Sequence, residues 1–261
     1  MKLIGVSLAL GTGLLLSACA STGSITDLAD LTHVHNLVIH EGDVLVGTHE
    51  GVYAQQDDGT WLMLGDEFDA MGLTEINGTL LASGHPGPNS SFPNPLGLLA
   101  STDSGETWSS RGLTGEVDFH LLDASGDTVL GAAANLGVLA LSRDGGESWN
   151  PLAVEALTDF AINPSDPREI VLASPEGLQW SKDGGSTFEW VTPDIRVEKL
   201  EWSEDGLFGA TLDGVWKWDS AGTAWFAVQD GFSQIYAIAA ADNQIAVLDG
   251  TQVSVIELPT N

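Results

Sequence analysis

The stretch Ser101-Thr102-Asp103-Ser104-Gly105-Glu106-Thr107-Trp108 returns twice in this chain. It recurs as Ser142-Arg143-Asp144-Gly145-Gly146-Glu147-Ser148-Trp149 and as Ser181-Lys182-Asp183-Gly184-Gly185-Ser186-Thr187-Phe188. The shared pattern is Ser-x-Asp-x-Gly-x-Ser/Thr-aromatic, and each copy follows an apolar run. Its chemistry is that of a hairpin tip. The Asp carboxylate accepts backbone N–H bonds across the turn, and the Gly supplies a positive φ that other residues resist. The hydroxyl residue favours the returning strand, and the Trp or Phe is placed to fill the gap between adjacent sheets.

Working outward, a Gly followed by an apolar residue recurs at Gly51-Val52, Gly97-Leu98, Gly137-Val138, Gly177-Leu178 and Gly214-Val215, with a weaker sixth at Gly250. The interval is about 36–46 residues, the period of propeller blades. An apolar strand precedes each anchor (44–47, 80–83, 129–132, 170–174, 207–211 and 245–248). A turn precedes each strand, as at Asn77-Gly78 and Ser125-Gly126-Asp127. One further strand lies before each turn. Each repeat therefore reads as strands A to D, with the quoted turn joining C to D and degenerate copies at 56–61 and 219–225. No stretch has a convincing helical period. The expectation is an all-β, six-bladed propeller of four-stranded antiparallel blades. The sixth repeat stops after strand C, so residues 25–29 are expected to supply its missing D strand and close the ring, removing two free edges.

The turns resemble the Asp-box of BNR-type propellers, which include sialidases and sortilin-type receptors. With Thr32-His33-Val34-His35-Asn36-Leu37, Thr48-His49-Glu50-Gly51 and Ser83-Gly84-His85-Pro86, the chain also resembles bacterial glycosyl-hydrolase-like propeller lipoproteins. This resemblance implies that Ser101, Asp103, Gly105, Trp108, Ser142, Asp144, Gly146, Trp149, Ser181, Asp183, Gly185 and Phe188 are structural and lie away from the binding face.

The N-terminus carries an address. Residues 1–18 have a charged start, an apolar core and a small-residue end, the form of a secretory signal peptide. They lead into Leu16-Ser17-Ala18-Cys19, which resembles the bacterial lipobox, in which the Cys becomes the lipidated N-terminus. Cys19 is also the only cysteine, so no disulfide can form within one chain. The domain plan is a signal peptide (1–18), a lipidated linker (19–24) and one propeller (25–261). The expected location is the cell envelope, with an outer-membrane anchor facing the periplasm or an anchor on the extracellular face. The formal net charge is −29, from 8 Lys+Arg against 37 Asp+Glu. Such a surface excludes nucleic acid and anionic lipid heads as partners. It suits salty surroundings, a cationic partner or metal capture; another envelope protein or a glycan remains a candidate partner.

In an up-and-down blade, strand A begins on the face where strand B ends, and the A–B turn and quoted turn share the other face. On this sorting, His33 and His35 (start of A, blade 1), His49 and His85 (ends of B, blades 1 and 2) and His120 (start of A, blade 3) share one end of three adjacent blades. Only His40 falls on the opposite face. Met71 aligns with His35 and His120, and Asp69 aligns with Asp118. Imidazoles beside carboxylates suit one transition-metal ion, zinc or copper, and a thioether leans toward copper. The candidate ligands are His33, His35, His49, Met71, His85, Asp118 and His120. The alternatives are polar pore residues and catalytic acid–base histidines. The proline-rich insertion 86–95 is either a tolerated loop or the wall of a binding site. The reading is a non-catalytic binding or scaffold protein with a His-lined site, against a sialidase-like glycoside hydrolase. For the latter, Arg111 and Arg196 remain on the right face where three arginines are needed, with Tyr236 and Glu198 as a weak nucleophile pair.

Overall fold

The computed structural model describes residues 24–154, 157–219 and 224–259. Six antiparallel sheets follow one another along the chain. Blade 2 is typical: strand A is Phe68–Ile76, B is Thr79–Pro86, C is Leu98–Ser101 and D is Ser109–Gly112, paired in that order. The A strands of the other blades are Val34–His40, Phe119–Ser125, Asp159–Ile162, Lys199–Ser203 and Ile235–Ala241. They contact one another in a closed cycle, blade 6 meeting blade 1, and so enclose the axis. Fully buried B strands such as Ile170–Ser174 explain the continuous apolar runs in the sequence.

The repeated turns fasten their own hairpins. Ser101 Oγ donates to Asp103 Oδ1 at 2.8 Å and accepts from Gly105 N at 2.8 Å. Thr107 donates from its N to Asp103 Oδ1 at 2.9 Å and from its Oγ1 to Oδ2 at 2.6 Å. The same contacts recur around Asp144 and Asp183. Gly146 has φ 94°, and a Cβ there would stand 2.4 Å from Leu98 Cδ2, so both conformation and space demand glycine.

Each turn aromatic lies between its own blade and the preceding one. Trp108 packs among Leu45 and Val52 of blade 1 and Leu80 and Leu99 of blade 2, edge-on to Phe68 at 5.4 Å. Trp149 joins blades 2 and 3 against Phe119, and Phe188 lies against the core between blades 3 and 4. The degenerate copies serve equally: Trp61 fills the gap between blades 6 and 1, and Trp225 that between blades 4 and 5.

Closure differs from the expectation. Among the described residues the sixth sheet has three strands, ending with Gln252–Glu257. Ser24–Ile25 pairs instead with Trp61 and Leu62, lengthening blade 1 to five strands. Residues 28–30 form a 3-10 turn capped by Asp27, whose Oδ1 accepts from Ala29 N at 2.9 Å. That turn buries Leu28 in the core shared by Ala237, Ala246 and Leu248 of blade 6 with Leu37 and Val46 of blade 1. An apolar plug thus joins the ends of the ring where a strand was expected. Cys19 and residues 1–18 lie outside the described residues.

Candidate functional site

The strands bring the five histidines to one end of the ring, in two groups. In the first, Asp69 lies between two imidazoles: His35 Nε2 is 3.1 Å from its Oδ1 and His49 Nδ1 is 2.9 Å from its Oδ2. The His33 ring stands 4.9 Å from that of His49 and 6.3 Å from that of His35. In the second, His120 Nε2 and His85 Nε2 lie 2.9 and 3.4 Å from the same oxygen, Asp118 Oδ2. The other oxygen of Asp118 is buried without a hydrogen-bond partner. The ligand atoms of His35, His49 and Asp69 lie within 4.8 Å of one another, as do those of His85, Asp118 and His120, the reach of one metal ion.

Backbone irregularity sets two of these side chains, His35 and His120. A β-bulge interrupts the A–B ladder at His35, at Met71, at His120 and at Tyr236. A bulge turns its extra residue out of the regular alternation, so the aligned positions share a local conformation as well as a place in the repeat. Burial raises the Asp69 carboxyl, but the bonds from His35 and His49 outweigh it and hold the group below its ordinary 3.8.

The candidate ligands expected from the sequence to form one site fall into two sets, {His35, His49, Asp69} and {His85, Asp118, His120}, and His33 is in neither. Asp69, noted in the sequence only as the counterpart of Asp118, is the centre of the first set. For Met71 the structure shows a backbone contact, its carbonyl accepting from Asn36 Nδ2 at 2.9 Å. The proline-rich insertion reaches the second set, because His85 Nδ1 lies 2.9 Å from Asn94 Oδ1. His40 points the other way, 2.9 Å from Glu75 Oε2.

The arginines do not gather. Arg111 donates to Gly145 O and Arg143 to Gly184 O, both in the repeated turns, and Arg168 pairs with Asp166 at 2.6 Å. Arg196 alone stays at the histidine end, donating to Pro175 O at 2.5 Å. Arg111, assigned from sequence to the binding face, is held at the opposite one.

Sequence reading missed the interior. The A strands line an axial cavity of about 400 Å³, and Asp123, Asp159 and Glu201, from three successive blades, are among its lining residues. Asp123 Oδ2 accepts from Ile162 N at 2.7 Å, and Asp159 Oδ2 from Leu200 N at 3.0 Å, each tying one blade to the next. Encirclement by protein pushes Asp123 up to about 7 and raises Asp159 and Glu201 as well. The available signal was an acidic residue in the inner strand of three successive repeats.

No family model and no curated protein matches the chain. Solved structures share its fold. A gluconolactonase from Xanthomonas campestris superposes with TM-score 0.67 at 13% identity, over 90% of this chain and 92% of that one. A GH74 enzyme from Niastella koreensis gives 0.60 at 19% identity, over 82% of this chain and 40% of that one. A chain of a nidogen/laminin complex gives 0.60 at 11% identity, over 83% and 89%. The neighbours thus include enzymes and a chain of a nidogen/laminin complex on one β-propeller scaffold. The chain spans well under half of the GH74 enzyme. At these identities the likeness concerns the fold, and function has to be argued from the site.

Proposed function

We propose that this chain is an exported, lipid-anchored β-propeller that acts as a non-catalytic binding protein, holding copper or zinc at the histidine end of its ring. The observation that carries this reading is the placing of Asp69 and Asp118 each against two imidazole nitrogens. Imidazole with carboxylate suits zinc, copper and similar borderline ions, and a carboxylate beside the ligating ring is a common metal-site arrangement. The lipobox-like Leu16-Ser17-Ala18-Cys19 and the net charge of −29 support a membrane-tethered, cation-attracting role in the envelope, with no affinity for nucleic acid. Another envelope protein or a glycan is the further partner this location offers.

The test is metal content. Protein stripped with chelator, reloaded with zinc or copper and desalted should retain metal, and His35→Ala should release at least part of it. His40→Ala should retain all of it. A wild-type protein that keeps no metal would overturn the reading. A sialidase-like hydrolase draws little support, since three of the four arginines are engaged on the opposite face.

A further inference from the structure

The geometry points to two metal ions, one in each histidine–aspartate group, with Asn94 of the proline-rich loop orienting a ligand of the second. This inference rests on the metal-binding reading and specifies its stoichiometry.

The repeat supplies the ligands twice. The first set takes the bulged His35 and His49, the residue just past strand B, from blade 1, with Asp69 opening blade 2. The second takes the strand-B His85 from blade 2, with Asp118 and the bulged His120 of blade 3. The pattern has stepped on by one blade. In the ladder of blade 2, Asp69 is directly opposite His85, so the two sets share a wall and remain separate in their ligand atoms.

Distances suit an ion in each. Two ligands at 2.0–2.1 Å from a tetrahedral zinc stand about 3.3 Å apart. The nitrogen–oxygen separations are 3.1 and 2.9 Å in the first set and 3.4 and 2.9 Å in the second.

Two observations make the second set a site in its own right. Asp118 is 6% exposed, and its Oδ1 has no hydrogen-bond partner. A buried carboxylate with an orphan oxygen is costly without a compensating charge. His85 also has Nδ1 against Asn94 Oδ1 at 2.9 Å. With that amide oxygen as acceptor, Nδ1 carries the proton and Nε2 presents a lone pair. The lone pair faces Asp118 Oδ2, another acceptor, at 3.4 Å. A metal cation between the two acceptors reconciles them, as a proton on Nε2 also would. A carbonyl oxygen accepting from the far ring nitrogen is how metal-ligating histidines are commonly fixed.

The sets differ in character. The first has His33 beside it as a third imidazole. The second offers two imidazoles and one carboxylate, both rings well exposed. Its remaining coordination positions are open to water or an exogenous ligand.

The experiment is a zinc titration of the chelator-stripped full-length protein against a competing indicator, with circular dichroism melting as the fold control. His49 and His85 are partly exposed, so His49→Ala and His85→Ala leave the core untouched. Wild type should bind two equivalents, each single variant one, and the double variant none. Asn94→Ala in the His49→Ala background should weaken the remaining site about 10-fold or more. A wild type binding one equivalent that either substitution abolishes would replace the pair with a single shared ion, leaving the metal-binding reading intact. No binding in wild type would remove both. Two equivalents in wild type with anything but one left in each single variant also overturns the assignment.

Discussion

His40 Nε2 lies 3.1 Å from Ser104 Oγ, joining the inner strand of blade 1 to the repeated turn of blade 2 on the face away from the other five histidines. Its Nδ1 meets Glu75 Oε2 at 2.9 Å, and the ring is 3% exposed. This histidine is a brace. His40→Ala should cost about 1–3 kcal/mol, as expected when buried polar partners are lost, while zinc content stays at the wild-type value. Urea denaturation and metal analysis of the same preparation check both. Loss of metal with unchanged stability would reverse the assignment of faces.

Trp108 and Trp149 should differ. Trp108 is almost wholly enclosed between blades 1 and 2, so Trp108→Ala should cost about 3–5 kcal/mol. Its indole N–H has no partner, so Trp108→Phe forfeits no hydrogen bond. Trp149 donates to Gly146 O at 3.0 Å, and Trp149→Phe gives that bond up. Trp149 is also less buried, so its alanine variant should be the milder. Denaturation midpoints of the four variants test the ranking, and metal binding should persist in each folded one.

Stability should fall toward both acid and neutral pH, for opposite reasons. Asp144 and Asp183 are held at about 2 by hydrogen bonds from Ser148 and Thr187. Their contribution is present above the ordinary value of 3.8 and is lost as pH falls through about 2. Asp123 goes the other way. Desolvation lifts it to about 7, so its contribution is complete below 3.8 and is lost as pH rises through about 7. Urea midpoints between pH 2 and 8, measured in chelator, should show Asp144→Asn flattening the acid limb and Asp123→Asn flattening the other. Unchanged limbs would mean that these groups titrate alike in the folded and unfolded chain.

If Cys19 carries the lipid, Cys19→Ala should move the protein from the membrane fraction to a soluble or unprocessed form, with a mass change that intact-protein mass spectrometry reads. Unchanged membrane association and unchanged mass would remove the anchor.

The six-bladed ring was legible because its information is local and repeated. Positions such as Asp144 and Gly146 need only their own hairpin to make sense, and a glycine–apolar anchor at near-regular spacing sets the blade count. The sorting of His35, His49, His85 and His120 away from His40 was legible too, because strand direction alternates and so fixes which end a residue occupies. Tertiary structure decided what that alternation cannot encode. Asp69 and Asp118 each meet two imidazoles, one group drawing on blades 1 and 2 and the other on blades 2 and 3; the angle between neighbouring sheets, together with the bulges at His35 and His120, sets those distances. Arg111 bends back to a neighbouring turn because a long, flexible side chain is not placed by its backbone position. The ends of the ring meet through buried Leu28 because packing between first and last blades is the most non-local contact of the fold.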